Sequence, residues 1–148
     1  MIIETLITLF TRDLQRLHKE IDLYHDENNI WKVGEGISNS AGNLCLHLIG
    51  NLNTYIGKEI GKTGYIRDRD LEFSLKDIPK AELLKKIDET IIVVVSSLNK
   101  LTQEELDKEF PVKVSDTMTS TEYFLVHLTT HLSYHLGQIN YHRRLIDQ

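Results

Sequence analysis

Two histidines, His131 and His135, stand four residues apart in a segment whose apolar pattern predicts a long helix. At that spacing both imidazoles leave the same face of the helix, one turn apart. Two imidazoles placed in this way can hold one transition-metal ion if another part of the fold supplies a third ligand. The pair therefore directs the search to the remaining histidines.

His47 is the strongest candidate for the third ligand. Its immediate neighbours are leucines and an isoleucine, and it lies on the apolar stripe of a predicted second helix. A lone histidine there would be interpreted as a core residue with satisfied hydrogen bonds. Because His131 and His135 occupy the inward stripe of the last helix, three inward imidazoles can bind zinc or another divalent metal at roughly 2.0–2.1 Å. Water or substrate would take the remaining positions.

His127 complicates this assignment because it precedes His131 by one turn. Each four-residue step drifts by about 40° around the helix, so His127 and His135 cannot easily serve the same ion. His127 is then either a neighbour that supports the ligands or a core histidine. His142 lies too far along the helix axis to join the group.

Three other metal chemistries are disfavoured by the sequence. A zinc protease helix carries His-Glu-x-x-His, whereas this chain reads His131-Leu-Ser-Tyr-His135. A di-iron carboxylate bundle needs Glu-x-x-His on two helices, and none occurs here. A closed structural zinc site favours cysteines, but the single Cys45 projects to nearly the opposite side of the helix from His47. A mononuclear, open site with three histidines remains.

Apolar residues recurring at three- and four-residue steps predict the elements that must position these histidines. No linker rich in proline, glycine or serine divides the chain, so residues 1–148 are predicted to form one all-α domain, a four-helix bundle. The segment Gly61–Ile78, about 18 residues long, predicts a crossover along the bundle rather than a tight hairpin. The predicted helices run from about Ile3 to Tyr24, Asn39 to Ile60, Pro79 to Leu101 and Ser120 to Ile146, with a short helical turn at Gln103–Leu106.

Local signals refine the helix ends and surfaces. Ser38 is predicted to cap the second helix, and Thr119-Ser-Thr-Glu122 has the form of a capping box before the fourth. Three glycines weaken the propensity of the second helix by about 1 kcal/mol each relative to alanine. We interpret them as positions where a neighbouring element packs closely; they are Gly42, Gly50 and Gly57.

Charge and composition exclude several classes of function. The 148 residues carry a net charge of −5, which disfavours general nucleic-acid binding because that binding relies on clustered Lys and Arg. No run of about 18 apolar residues is present, so no membrane span is expected. The single cysteine allows no internal disulfide, which fits a cytoplasmic protein.

The stretch Asn43-Leu-Cys-Leu-His47-Leu-Ile-Gly-Asn51, followed by His131-Leu-Ser-Tyr-His135-Leu-Gly-Gln138-Ile, resembles the DinB/YfiT-like family of metal-dependent enzymes. The resemblance implies an up-down-down-up four-helix bundle with a long second connection. It also implies nickel or zinc held by His47, His131 and His135, and a homodimer.

The resemblance further implies an enzyme that joins a low-molecular-weight thiol, of the bacillithiol or mycothiol type, to a small electrophile. A free thiol with a pKa near 8.5 is mostly protonated at neutral pH, and coordination to a divalent cation deprotonates it. The thiol supplies the sulfur, so the protein needs no catalytic cysteine. Asn51 and Gln138, each about one turn beyond a ligand, are the candidates for cofactor binding; packing hydrogen bonds are the alternative.

Three alternatives stay open at this stage. The same ion could activate water and make the protein a metal-dependent hydrolase. The bundle could bind metal in a stress response without turnover. The three histidines could also be buried without any metal.

These alternatives lead to a first prediction, that His47→Ala lowers metal affinity sharply. Two ligands on one helix hold an ion less well than three ligands from two helices. Elemental analysis of wild type, His47→Ala and His135→Ala, purified in parallel, measures the effect. Equal metal content in all three proteins would contradict the ligand assignment.

Overall fold

The four predicted long helices form a bundle, and two short helices, one of them at the predicted turn, occupy its connections. The computed structural model describes residues 1–114 and 116–148. Within these ranges it contains no β-strand, only an isolated bridge between Glu109 and Ser120. The all-α prediction is confirmed. The helices are α1 (Ile2–Asp22), α2 (Ala41–Leu52), α3 (Arg69–Ser74), α4 (Lys80–Leu98), α5 (Gln103–Asp107) and α6 (Thr121–Ile146), with a 3-10 turn at Glu27–Trp31 and a π-helical turn at Asn53–Lys58.

Contacts of α1 fix the directions of α6 and α4 relative to it. At the end of α1, the Tyr24 hydroxyl lies 2.6 Å from Nδ1 of His142, near the end of α6. These two helices are therefore parallel. Lys80, which begins α4, donates through Nζ to the backbone carbonyl of Asp22, at 2.6 Å. Helix α4 thus runs opposite to α1.

Contacts of α2 complete the arrangement. Asn53, just past α2, donates to the Thr90 hydroxyl in the second half of α4 at 3.0 Å, so α2 and α4 are parallel. The ring of Tyr55 packs edge-on against Phe124 at the start of α6, with centroids 5.2 Å apart, so α2 and α6 are antiparallel. The long helices therefore follow the up-down-down-up order that the family resemblance implies.

Helix α2 is buried along its whole length, from Ala41 to Leu52. A helix that is apolar on all sides must be covered on all sides. Helices α4 and α6 pack on two of its faces, and the crossover with α3 packs on another. The Asn43 side chain fastens the crossover by donating to the carbonyls of Glu72 and Leu75 at 2.9 and 2.8 Å. The long connection therefore completes the burial of α2, and its helix α3 was not predicted.

The predicted helix caps are displaced by one or two residues. Helix α2 is capped by Ser40, not Ser38, because the buried Ser40 hydroxyl accepts from the Asn43 amide at 3.1 Å. Before α6, Ser120 is the cap and accepts from the Tyr123 amide at 3.1 Å. Glu122 is therefore not at the third helical position that a capping box requires. In both cases neighbouring hydroxyl residues offer alternative caps, and packing decides between them.

The glycines of the second helical block do lie at close contacts, as interpreted from the sequence. A Cβ atom built on Gly42 would lie 2.6 Å from the Trp31 ring, which is buried. A Cβ on Gly57 would lie 2.9 Å from Val93 of α4. Gly50 faces the crossover and is described with the site. No helix in the described ranges has both the length and the apolar composition to span a bilayer.

Asp147 ties the C-terminus to the segment between α1 and α2. Its carboxylate accepts from the backbone amides of His25 and Asp26, at 2.7 and 3.2 Å, and from the Asn29 side chain at 2.8 Å. Burial by itself raises the pKa of Asp147, but these hydrogen bonds outweigh burial and lower the pKa to about 2. The charged form is thus preferred in the folded state.

We predict that Asp147→Asn lowers the free energy of unfolding by about 1–3 kcal/mol at pH 7, because hydrogen bonds to a charged acceptor are lost. The folded pKa lies below the ordinary value of 3.8, so this stabilisation is present above pH 4 and is lost as the pH falls towards 2. Urea denaturation at pH 7 and at pH 2.5 measures it, with the exposed Asp70→Asn as control. A difference that does not shrink at low pH would contradict this role.

Candidate metal centre

The fold brings His47 of α2 together with His131 and His135 of α6. One ring nitrogen from each lies within 4.8 Å of the others. The ring centroids are 4.6–5.3 Å apart, and the ring planes are inclined to one another by 76–89°. The three imidazoles converge edge-on, a suitable arrangement for nitrogen ligands around a single ion. Among the described residues, this is the one group of three His, Cys, Asp or Glu side chains that lie close enough together to hold a metal ion.

His47 is oriented by a carboxylate from the crossover. Nδ1 of His47 lies 3.0 Å from Oε1 of Glu72, a group that accepts hydrogen bonds when ionised. This contact assigns the proton to Nδ1, so the lone pair is on Nε2, the nitrogen that lies 3.2 Å from Nε2 of His131. A carboxylate on the far nitrogen of a ligating histidine fixes its tautomer and increases its basicity.

Glu72 is kept ionised by Arg67. The Arg67 guanidinium donates to both carboxylate oxygens of Glu72, at 2.8 and 2.9 Å. Burial by itself raises the pKa of Glu72, but the hydrogen bonds from His47 and Arg67 outweigh it and hold the pKa below its ordinary value. The buried carboxylate is therefore paired on both oxygens, as a buried charge requires.

Gly50 provides the space for Glu72. A Cβ atom at position 50 would lie 1.9 Å from Oε2 of Glu72, well inside van der Waals contact. Gly50 follows His47 by three residues, so both lie on the same side of α2. This glycine lets the crossover carboxylate reach the histidine.

His135 and His131 are both neutral at physiological pH. Burial lowers the pKa of His135, and repulsion from His47 adds to this effect although the hydrogen bond with Gln138 opposes it. Burial, followed by repulsion from His135 and His47, lowers the pKa of His131 to about 4. Neutral imidazole is the form that binds metal ions.

One distance tests whether the cluster suits a divalent ion. Ligand nitrogens at about 2.1 Å from one ion are separated by about 3.0–3.4 Å at tetrahedral or octahedral angles. The 3.2 Å between the Nε2 atoms of His47 and His131 falls in this range. The donor set and its geometry fit zinc, nickel or a similar ion.

Two separate cavities are lined by histidines of the cluster. A cavity of about 210 Å³ is lined by His47 and His131, together with Asn51 and Arg67. A larger one, of about 530 Å³, is lined by His135 and Gln138. The cluster lies at the edge of the core, with His131 and His135 only partly buried, so small molecules can reach it.

The structure places the two candidates for cofactor binding differently. Gln138 is exposed, and its Oε1 lies 2.7 Å from Nδ1 of His135, so it orients that histidine as Glu72 orients His47. Asn51 is buried and lines the smaller cavity, and its Oδ1 has no hydrogen-bond partner. Both lie beside the cluster, and their binding of a cofactor stays a prediction.

The other singled-out residues lie outside the cluster. His127 is exposed and lines the smaller cavity. His142 bonds Tyr24 and the Lys32 carbonyl instead, the latter at 2.8 Å. Cys45 is buried, and burial raises its pKa to about 12, so the thiol is inert at neutral pH. Tyr134 is 66% exposed, and its ring centroid lies 5.4 Å from that of His135.

Sequence reasoning missed Glu72 and Arg67. Both lie in the crossover, where the absence of a helical period gives no information about which side chains turn inward. The available signals were weak: Gly50 one turn after His47, and Asp68, which caps α3 by accepting from the Leu71 amide at 3.2 Å.

The sequence was also compared with known protein families and with curated proteins. A family model described as "Protein of unknown function (DUF1572)" matches residues 2–148. No curated protein gives a significant match to the chain.

The Glu72–Gly50 contact generates a prediction that leaves all three ligands intact. Gly50→Ala should displace Glu72 and lower zinc affinity by about 10- to 100-fold, as is typical when a partner of a ligating histidine is lost. Glu72→Gln should act in the same direction. Competition with a chromogenic chelator measures the affinity, and Gly137→Ala on the open side of α6 is the matched control. Unchanged affinity in Gly50→Ala and Glu72→Gln would remove Glu72 from the site.

Proposed function

The chain belongs to the DUF1572 family, which is related to DinB-like proteins. On that premise we propose that the protein is a divalent-metal-dependent transferase that uses a low-molecular-weight thiol. The observation that carries this proposal is the convergence of three imidazoles whose ring nitrogens lie within 4.8 Å of one another. The proposed ligands are His47, His131 and His135, with nickel or zinc as the metal.

The protein's own residues hold the ligands in place. Glu72 fixes the tautomer of His47, and Gln138 orients His135. When bound, a divalent ion would lower the pKa of a coordinated thiol and keep it as thiolate near the electrophile. Because two ligands are fixed by partners outside the set, little reorganisation is needed for binding.

Two features favour thiol transfer over other uses of such an ion. A transferase must admit two substrates, and separate cavities reach His131 and His135. The nearest carboxylate, Glu72, already pairs with His47 and Arg67, so it is poorly placed to activate water. The protein's own thiol, Cys45, is buried with a pKa of about 12, so the reacting sulfur would have to come from a cosubstrate.

Partners and location follow from the same proposal. A small electrophile and a low-molecular-weight thiol would be the ligands, with no nucleic acid or membrane involved. A homodimer and a cytoplasmic location are included because the DinB-like resemblance implies the former and the single cysteine fits the latter.

We predict that the nickel- or zinc-loaded protein conjugates small electrophiles only when a low-molecular-weight thiol is added. His131→Ala should lower the conjugation rate by more than the roughly 10- to 100-fold typical of residues that only support ligands. Mass spectrometry of the thioether product measures the rate. His18→Ala is the control, because His18 lies on α1 and contacts Asp88 at 3.5 Å.

Other outcomes would select other functions. Turnover that proceeds without any thiol would identify a metal-dependent hydrolase. Stoichiometric metal with no turnover of electrophiles by any thiol would indicate a metal-binding stress-response protein without catalysis. Absence of metal in the protein from its native host would contradict both the transferase and the hydrolase hypotheses.

A further inference from the structure

The cavity beside His47 and His131 contains an unpaired positive charge. Two arginines line this cavity of about 210 Å³. Arg67 is neutralised by its two hydrogen bonds to Glu72. Arg69 is different: among residues 1–114 and 116–148, no carboxylate lies within 4.0 Å of its guanidinium. The cavity is therefore cationic although the whole chain has a net charge of −5.

Arg69 is held in place by a stack that leads to the metal ligands. Its guanidinium carbon lies 5.4 Å from the centroid of the Phe73 ring. The Phe73 ring is in turn 5.0 Å from the His47 ring. Stacking uses the face of the guanidinium and leaves its N–H edge free for planar, two-point binding of a carboxylate. Arg69 is thus positioned to bind an anion near His47.

Asn51 gives a second, independent indication of a ligand in the same cavity. This residue is only 7% exposed, yet its Oδ1 has no hydrogen-bond partner. A buried acceptor without a donor is costly, and a molecule bound in the cavity can satisfy this one by donating to it. The cavity therefore offers one charged donor, Arg69, and one neutral acceptor, Asn51.

The positive charge is confined to one of the two cavities beside the histidines. The larger cavity, of about 530 Å³ beside His135, has no Lys, Arg, Asp or Glu in its lining and is bordered by Tyr134, Tyr141 and Leu145. An anion is thus attracted to the His131 side of the cluster and not to the His135 side.

We propose that Arg69 binds a carboxylate of the thiol cosubstrate, while Asn51 accepts a hydrogen bond from the same molecule. This assignment rests on the proposed thiol-dependent function and adds the chemical class of the thiol: it carries a carboxylate. Arg69 is a binding residue that sets specificity, and no covalent step is assigned to it.

The anion site is tested first with a probe that contains no sulfur. Calorimetric titration of the zinc-loaded full-length protein with succinate should show binding that Arg69→Gln weakens by about 10-fold, the effect of losing one charge-assisted contact. Arg69→Lys keeps the charge but not the two-point geometry and should lose less. The control is Arg144→Gln, which removes an exposed cation outside the cavity. Succinate affinity equal in wild type and Arg69→Gln would overturn the assignment.

A matched pair of thiols then separates this inference from the proposed function. In the cobalt-substituted protein, the thiolate-to-cobalt absorption band reports coordination of 3-mercaptopropionate or of its neutral amide. We expect the acid to bind about 10-fold more tightly than the amide in wild type, and the two to bind equally in Arg69→Gln. Equal binding of both thiols in wild type would overturn the role of Arg69 and leave thiol coordination standing. No band with either thiol, together with Arg69-dependent succinate binding, would leave the anion site standing and reject the thiol function.

Discussion

The contact between Glu72 and His47 is the interaction on which the rest of the site depends. It joins the crossover to the central helix at a distance of 3.0 Å. It exists because Gly50 leaves room for the carboxylate and because Arg67 keeps that carboxylate ionised in a buried position. The same contact sets the tautomer of His47 and so decides which nitrogen faces the other histidines. The buried charge of Glu72 thereby connects the packing of the crossover with the tautomer of His47.

That link explains why the crossover is long. A helix as apolar as α2 needs cover on every face, and the two long helices beside it leave one face open. The segment that closes this face brings Glu72, Arg67 and Arg69 to the histidines. Two of these charges neutralise each other, and the third adds a local positive charge to an acidic protein. Burial of α2 and the electrostatics of the site are consequences of the same packing.

The helices and the shared face of His131 and His135 were predictable because both depend on local spacing. A period of 3.6 residues marks each long helix, and the four-residue separation of His131 and His135 fixes their common face. The interpretation of Gly50 as a point of close packing was also correct, but its partner was not identifiable. The cap positions at Ser40 and Ser120 were missed by one or two residues, since several hydroxyl residues compete there.

The sequence by itself determined four long amphipathic or apolar helices and three histidines able to meet between two of them. Tertiary structure alone decided that Glu72, 25 residues from His47, would contact that histidine, and that Arg69 would line the neighbouring cavity without a carboxylate partner. It also decided that His127 would be exposed and outside the cluster. The physical reason is that helical periodicity is a property of neighbouring residues, whereas the path of a non-periodic crossover is set by the surface that it must cover.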